Sequence, residues 1–303
     1  MTFKLTRRQF GVGTLALAYL ALARPGGAQS GGYANPELLM EPGDLIGAAS
    51  PMKMGRPKYE AAGIVVVDVR PRSEFDAGHI PGARHLDPNQ VVARHSPIDG
   101  ALQSVPDLER ILGALGIAAD RRVVFYDDWG GFHAARMLWL MEYLGHANVA
   151  VLNGGWSAWQ AANGPVTSIE LPHEAAPFQA AISPRRHATA EDVLVHRDHP
   201  DGVLIDVRPP HMYAEGHIPW AVNVPWSQNL DETERFLGAD ALRAHFEAQG
   251  ITPENDVVMH CQIGLASSHS YVALRLLGYP RLRVYHRSWA EWGNDAALPK
   301  STS

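Results

Sequence analysis

The sequence predicts an α/β protein built from two similar domains, each a mostly parallel sheet with helices on both faces. Segments repeat at a nearly constant spacing, and short apolar runs alternate with helical patterns along the chain. In addition, 303 residues of which 46% are hydrophobic can bury a full core and suit two domains better than one.

The repeat is clearest in three pairs of segments. "VVVDVRPRSEFDAGHIPGARHL" from Val65 matches "VLIDVRPPHMYAEGHIPWAVNV" from Val203 at an offset of 138 residues. Further along, "RVVFYDDWGG" pairs with "DVVMHCQIGL", and "LNGGWSAW" with "YHRSWAEW", at offsets of 134 and 133. Because these matches keep their order at nearly one spacing, they indicate a duplicated domain.

Apolar, β-branched runs without period-two alternation predict strands that are covered on both faces. They lie at residues 64–69, 123–126, 149–152, 203–207, 257–260 and 282–285. Helices are predicted over 106–115, with Ser104 and Asp107 in capping-box spacing, and over 265–277. A stretch with four prolines predicts a linker at 163–187, between domains at 29–162 and 188–303.

The first 28 residues are typical of a targeting signal rather than of a folded domain. Arg7 and Arg8 precede an uncharged, mostly apolar run from Gly11 to Ala23, which is too short to cross a bilayer, and small residues follow up to Ala28. The pattern is similar to a twin-arginine export signal. We therefore expect the twin-arginine export machinery as a partner, and a periplasmic mature protein without a stable membrane anchor.

Charge and cysteine content exclude several functions. A net charge of −6 with mixed signs gives no broad basic field for nucleic acid or an anionic membrane surface. The single cysteine cannot form an internal disulfide or a zinc cluster, and the fifteen histidines show no metal-binding spacing. We expect a small-molecule substrate and neither a metal nor a cofactor.

That cysteine, Cys261, follows a predicted strand and precedes a predicted helix. Ligands gather at the carboxyl ends of parallel strands, and Gly264 can take the positive φ that a tight turn requires. The inward N–H groups of such a turn attract negative charge and favour a thiolate. Cys261 is the candidate nucleophile. The aligned residue of the first copy is Asp127, which cannot do sulfur chemistry, so the first domain is expected to be non-catalytic.

Together, the two "DVR…GHIP" segments, the loop that begins at Cys261 and the "SWAEWGN" ending resemble the tandem-domain rhodaneses, sulfurtransferases of the thiosulfate or 3-mercaptopyruvate type. The resemblance runs from about residue 64 to 293 and implies two rhodanese-like domains. It also implies that Cys261 takes the outer sulfur of a small anionic donor, becomes a persulfide, and passes that sulfur to cyanide or a thiol. The loop expected to bind substrate and steady the persulfide comprises Gln262, Ile263, Gly264, Leu265, Ala266 and Ser267.

The loop departs from both sulfurtransferase types. It carries neither the cationic side chains of the thiosulfate enzymes nor the Gly-Ser or Gly-Thr pattern of the mercaptopyruvate enzymes, and a second arginine expected soon after Arg208 is absent. Thiosulfate and 3-mercaptopyruvate therefore both stay open as donors. Arg208 is a candidate donor-binding residue, although its recurrence in the first copy as Arg70 favours a structural ion pair with Asp206. Contact of His260 or His286 with substrate also stays open.

Two other functions are compatible with parts of the sequence. Cysteine phosphatases share an anion-binding loop, but they place an arginine where this chain has Ser267. The alternative role for that serine is to begin the following helix. A non-catalytic periplasmic binding module is the remaining alternative, and it is favoured only by the atypical loop.

Overall fold

The computed structural model describes residues 32–49 and 57–302 and gives each domain its own sheet. The first sheet has the order β1-β5-β4-β2-β3, with β1 (Leu39–Met40), β2 (Ile64–Asp68), β3 (Arg84–His85), β4 (Arg122–Tyr126) and β5 (Val149–Leu152). The second has the order β7-β6-β8-β9, with β6 (Gly202–Asp206), β7 (Ala221–Asn223), β8 (Asp256–His260) and β9 (Leu282–Val284). Neighbouring strands pair in parallel throughout both sheets, so the predicted α/β class is confirmed.

Helices connect the strands in both domains. The first domain has α1 (Pro42–Ala49), α2 (Lys58–Ala61), α3 (Arg72–Ala77), α4 (Val105–Ala114), α5 (Phe132–Tyr143) and α6 (Gly155–Ala161). The second has α7 (Ala190–His196), α8 (Pro210–Glu215), α9 (Ala239–Glu247), α10 (Leu265–Leu276) and α11 (Ser288–Trp292). Over the described residues, no helix combines the length and apolar character that crossing a bilayer requires.

Both faces of each sheet are buried, which explains the uninterrupted apolar runs. Val65 and Val67 of β2 pack into the large central core, whereas Val66 between them packs into an outer core with Phe75 and Trp159. In the second domain, Val257 and Met259 of β8 face the central core, and Val258 faces an outer core that contains Trp292. Alternate residues of one strand thus serve two cores.

The central core is shared by the two domains, because α5 of the first packs against α10 of the second. Glu142 of α5 is buried at this interface, where it accepts a hydrogen bond from Tyr271 and pairs with Arg275 at 2.8 Å, both on α10. Such a contact joins equivalent helices of the two copies. The two copies are therefore joined through their equivalent helices, although the polar contacts between α5 and α10 differ in the two directions.

The main strands and helices lie within one residue of their predicted bounds. Ser104 caps α4 by accepting a hydrogen bond from the N–H of Asp107, as the spacing predicted. Residues 163–187, predicted as the linker, hold one 3₁₀ turn (Pro184–Arg186) and no named strand. The predicted export signal at 1–28 lies outside the described residues, as does the predicted domain start at 29.

Candidate functional site

Cys261 stands directly after β8, a strand flanked by β6 and β9, and α10 begins four residues later at Leu265. Gly264 makes this short connection possible with a φ of 84°, a left-handed conformation that glycine adopts without steric cost. A side chain at this position would also collide with its surroundings, because a Cβ would lie 2.4 Å from the carbonyl oxygen of His286. The loop is thus held tightly against the segment that follows β9.

Polar hydrogens are aimed at the sulfur, although Cys261 is only 2% exposed. The N–H of Gly264 donates to Sγ at 3.1 Å, and the hydroxyl of Ser267 approaches Sγ at 3.6 Å. The backbone N–H of Cys261 donates to Oγ of Ser288 at 3.0 Å, and that hydroxyl donates to the carbonyl of Tyr285. The thiol therefore lies at the edge of the central apolar core and also meets polar hydrogens from its own loop.

Ser288 is a residue that the sequence reasoning missed. Its φ is 54°, and the first copy has Gly155 with the same φ at the aligned position. A non-glycine residue rarely adopts this conformation, so the second copy accepts backbone strain in order to place a hydroxyl beside Cys261. The change from glycine to serine between the two repeats was the available signal.

The equivalent loop of the first domain is folded around a carboxylate. Oδ1 of Asp127 accepts hydrogen bonds from the N–H groups of Trp129 and Gly131, at 3.0 and 2.9 Å. Oδ2 accepts from the N–H groups of His133 and Ala134, at 2.7 and 3.0 Å. Four backbone N–H groups thus form a complete anion-binding cradle, and the Asp127 side chain fills it.

The offset of 134 residues places the matching N–H groups around Cys261. They belong to Ile263, Leu265, Ser267 and Ser268, at the turn into α10 and in its first helical turn. The cysteine side chain is shorter than aspartate by one bond, so its sulfur lies below the position that the carboxylate oxygens take in the first copy. One further atom bonded to the sulfur would therefore extend as far from the backbone as the carboxylate oxygens of Asp127 do.

The first domain covers the loop that follows Cys261. The hairpin closed by the Val92–Leu102 bridge, hairpin 92–102, places Gly100 so close to Ile263 that a Cβ on Gly100 would be 2.6 Å from the Ile263 carbonyl oxygen. Symmetrically, the Leu230–Phe236 bridge closes hairpin 230–236 over the first domain's loop, with Leu230 against Gly130. Each domain therefore closes the loop of the other.

Arg136 of α5 joins these parts and was also missed by the sequence reasoning. Its Nη1 donates to the carbonyl of Ile263 at 2.8 Å, and its Nη2 donates to the carbonyl of Gly100 at 2.7 Å. Burial lowers the pKa of Arg136 to about 10, and a negative charge on Cys261 would act against this shift. A single cation inside the apolar run "AARMLWLM" was the available signal.

Comparison with known proteins identifies the family. The Rhodanese-like domain family matches residues 54–162 and again 189–295. The chain belongs to the rhodanese family. It is 32% identical over 276 residues to the thiosulfate sulfurtransferase of Pseudomonas aeruginosa, which covers 88% of this chain and 98% of that relative. The predicted resemblance to tandem rhodaneses is confirmed.

Two further matches describe the range of related proteins. This rhodanese is 31% identical over 234 residues to the 3-mercaptopyruvate sulfurtransferase of Rattus norvegicus, over 73% of this chain and 79% of that one. An anaerobic ergothioneine biosynthesis enzyme from Chlorobium limicola, solved in complex with trimethyl histidine, matches with a TM-score of 0.79 at 22% identity. That match covers 89% of this chain and 71% of the other, and it shows a shared fold.

Arg208 of this rhodanese forms a buried ion pair. Its Nε and Nη2 bind the carboxylate of Asp206 at 3.0 and 2.5 Å, Nη2 also donates to the carbonyl of Gly216, and the guanidinium lies over Trp289. Asp68, Arg70 and Trp156 repeat this arrangement in the first copy. Because both copies contain it, the ion pair serves the fold, and contact of Arg208 with a donor stays a prediction.

The two histidines near the loop have different positions. His260 is buried with its Nε2 3.6 Å from Asp206, away from the sulfur, and burial lowers its pKa. His286 shares a hydrogen bond of 2.9 Å with His187 and borders a cavity of about 280 Å³ between the domains. Burial, and then the neighbouring positive groups, hold the pKa of His286 well below its ordinary value. Both are therefore neutral near neutral pH.

Proposed function

We propose that this rhodanese is a sulfurtransferase that moves a sulfane sulfur from thiosulfate or 3-mercaptopyruvate to a thiol or cyanide through a persulfide on Cys261. The named activities of the relatives at 31–32% identity support this reaction class. The position of the cysteine at the carboxyl end of β8 and the polar hydrogens around its sulfur support the assignment of the nucleophile.

The reaction has two displacement steps. The Cys261 thiolate attacks the outer sulfur of thiosulfate, the S–S bond of the donor breaks, and sulfite leaves with the electron pair. With 3-mercaptopyruvate, the C–S bond breaks instead, and the enolate of pyruvate leaves and takes up a proton. In the second step the acceptor thiolate or cyanide attacks the outer sulfur, and Cys261 leaves as a thiolate. The cycle restores the enzyme and needs no cofactor.

The observation that carries this proposal is the occupied cradle of the first domain. The oxygens of Asp127 lie two bonds beyond Cβ and accept four backbone hydrogen bonds. The outer sulfur of a cysteine persulfide also lies two bonds beyond Cβ. A persulfide on Cys261 would consequently take the same place in the second loop and be stabilised by the equivalent N–H groups of residues 263–268.

The loop itself favours neither donor. Gln262, Ile263, Leu265 and Ala266 bring no cationic side chain, so the loop's own groups that meet an anion are its N–H dipoles. Cys261 is almost fully buried and hairpin 92–102 lies against Ile263, so we infer that this hairpin moves off the loop when a donor enters. Loops that close over reacting groups exclude water from the reaction in this way.

The proposal is tested by the intact mass of the protein after incubation with each donor. Thiosulfate, 3-mercaptopyruvate or both should add the mass of one sulfur atom, and cyanide should remove it with formation of thiocyanate. The matched Cys261→Ser variant should gain nothing. A folded wild-type protein that gains no sulfur from either donor would overturn the proposal and favour a non-catalytic binding module.

We further infer that the protein is exported to the periplasm by the twin-arginine route. Arg7, Arg8 and the short apolar run behind them support this inference. The N-terminus of exported protein should lie near Gln29, and a double Arg7→Lys, Arg8→Lys variant should stay in the cytoplasm. Export of that variant at the wild-type level would refute the route.

A further inference from the structure

Arg136 is a buried cation without an acidic partner. The residue is 2% exposed, its two Nη atoms donate to backbone carbonyls, and its Nε is buried without a partner. Among residues 32–49 and 57–302, the ion pairs between basic and acidic groups do not include Arg136. A charge that is held away from water without an opposite charge destabilises the folded protein. An anion close to the guanidinium would therefore stabilise it.

The group that can supply this anion is the sulfur of Cys261. Gly264 lies between the two: its N–H donates to Sγ at 3.1 Å, and the position of a Cβ on Gly264 is 3.0 Å from Nη1 of Arg136. The guanidinium and the sulfur thus flank the same small residue, without a side chain between them.

The comparison of the two copies supports this pairing independently. At the offset of 134 residues, the α10 counterpart of Arg136 is Ser270, which is neutral. The contact from α10 to the first domain's loop is made by His269, whose Nε2 is 3.1 Å from the Gly130 carbonyl and whose pKa burial lowers to about 4. From α10, neutral side chains face the loop that already contains a carboxylate, whereas from α5 a cation faces the loop that contains the cysteine.

We propose that Arg136 is the counter-ion of the negatively charged sulfur on Cys261, so that the first domain supplies the positive charge that the catalytic loop lacks. Arg136 is then a positioning residue: it holds the Ile263 carbonyl and stabilises the thiolate without contacting the donor. The extension from the thiolate to the persulfide rests on the proposed function, whereas the thiolate pairing does not.

Other titratable groups face this pair from each neighbouring element. His133 lies one turn earlier on α5, His286 follows β9, and His260 ends β8. Burial lowers the pKa of all three, so they are neutral where a thiolate forms. Arg287, next to His286, is half-exposed and pairs with Glu291 at 3.0 Å. Arg136 is thus the buried permanent charge of this group.

The test is the pH dependence of alkylation of Cys261 by iodoacetamide, a reaction that requires the thiolate but no sulfur donor. Arg136→Gln keeps a donor for a carbonyl and removes the charge, whereas Arg136→Lys keeps the charge and loses the two-pronged contact. We expect the midpoint to rise by about 1–2 pH units in Arg136→Gln, and by a few tenths at most in Arg136→Lys.

The control is Arg275→Met, which weakens the contact of α10 with Glu142 of α5 without touching the loop. Its midpoint should equal that of the wild type. If Arg136→Gln titrates like the wild type, or if Arg136→Lys shifts as far as Arg136→Gln, Arg136 serves only to join the domains. If the glutamine variant fails to fold, Arg136→Met and the lysine variant decide the question by the same comparison. Absence of sulfur loading with an intact midpoint shift would remove the sulfurtransferase proposal and leave this one standing.

Discussion

Replacing Gly264 with alanine tests whether the turn after Cys261 builds the sulfur site. The residue has a φ of 84°, and a Cβ would lie 2.4 Å from the backbone oxygen of His286. Left-handed alanine costs about 1–2 kcal/mol, and a forced overlap in a packed interior costs about 1–3 kcal/mol more. Because the colliding atom belongs to the backbone, the turn itself has to move. We expect the free energy of unfolding to fall by about 2–5 kcal/mol.

Gly250 after α9 provides a matched control. Its φ is 74°, but no atom lies within 4 Å of the position that a Cβ would take. Gly250→Ala therefore introduces the backbone strain without the collision. It should lower the free energy of unfolding by about 1–2 kcal/mol and leave sulfur loading at the wild-type rate.

Urea unfolding gives the free energy of unfolding of the two variants. The intact mass after brief exposure to a donor gives the initial rate at which each variant takes up sulfur. Removal of one well-placed N–H donor to a developing anion costs about 10²–10³ in rate, so displacement of the Gly264 N–H should slow loading at least ~10-fold. The comparison is made at conditions where all three proteins are fully folded. If Gly264→Ala loads sulfur as fast as Gly250→Ala, the Gly264 N–H does not stabilise the sulfur, and the assigned geometry is refuted.

Two further substitutions address the surroundings of the loop. Ser288→Ala should lower the free energy of unfolding, measured with urea, by about 1–3 kcal/mol, because the Cys261 N–H and the Tyr285 carbonyl lose their hydrogen-bond partner. It should also slow sulfur loading. Wild-type values of both quantities would contradict this role. His269 has a pKa lowered to about 4 by burial, against about 6.5 when unfolded, so the stability that it contributes is complete above pH ~6.5 and falls by up to about 3 kcal/mol towards pH 4. His269→Gln should flatten the curve of unfolding free energy against pH in that window, and an unchanged slope would show that other groups govern it.

The repeats carried most of the fold prediction. Because β2 and β8 are covered on both faces, their apolar runs needed no period-two pattern to be recognised as strands, and the offset between copies extended each assignment to the other domain. The same offset correctly paired Asp127 with Cys261, which singled out the second domain before any contact was known.

Short edge strands could not be predicted in this way. β1, β3 and β7 have two or three residues each and pair along one side only, at the margins of their sheets. Their sequences, "LM", "RH" and "AVN", contain no run that favours a strand by itself. Pairing with β5, β2 and β6 imposes the extended conformation, and tertiary pairing is information that local propensity lacks.

Arg136 was not predicted as a residue of the site, because its local sequence favours a different role. An arginine in a helix ordinarily extends its charge into water while its aliphatic part packs, and the apolar run around Arg136 is the one local feature that opposes that reading. The guanidinium is instead buried because α5 packs on the partner domain and hairpin 92–102 closes the remaining side. Its role depends on the relative placement of two domains.

The two loops of the duplicated chain therefore differ in how each stabilises a negatively charged group. In the first, the acceptor is the covalently fixed side chain of Asp127, which takes four backbone hydrogen bonds, and the position on α10 that aligns with Arg136 holds Ser270. In the second, the anion is transient, since the sulfur of Cys261 gains and loses both charge and an atom during a cycle. A transient anion benefits from a counter-charge that is present before it forms, because a preorganised group does not have to move at the moment of reaction. Arg136 meets this condition from a domain that performs no sulfur chemistry, and this makes the first copy part of the active centre.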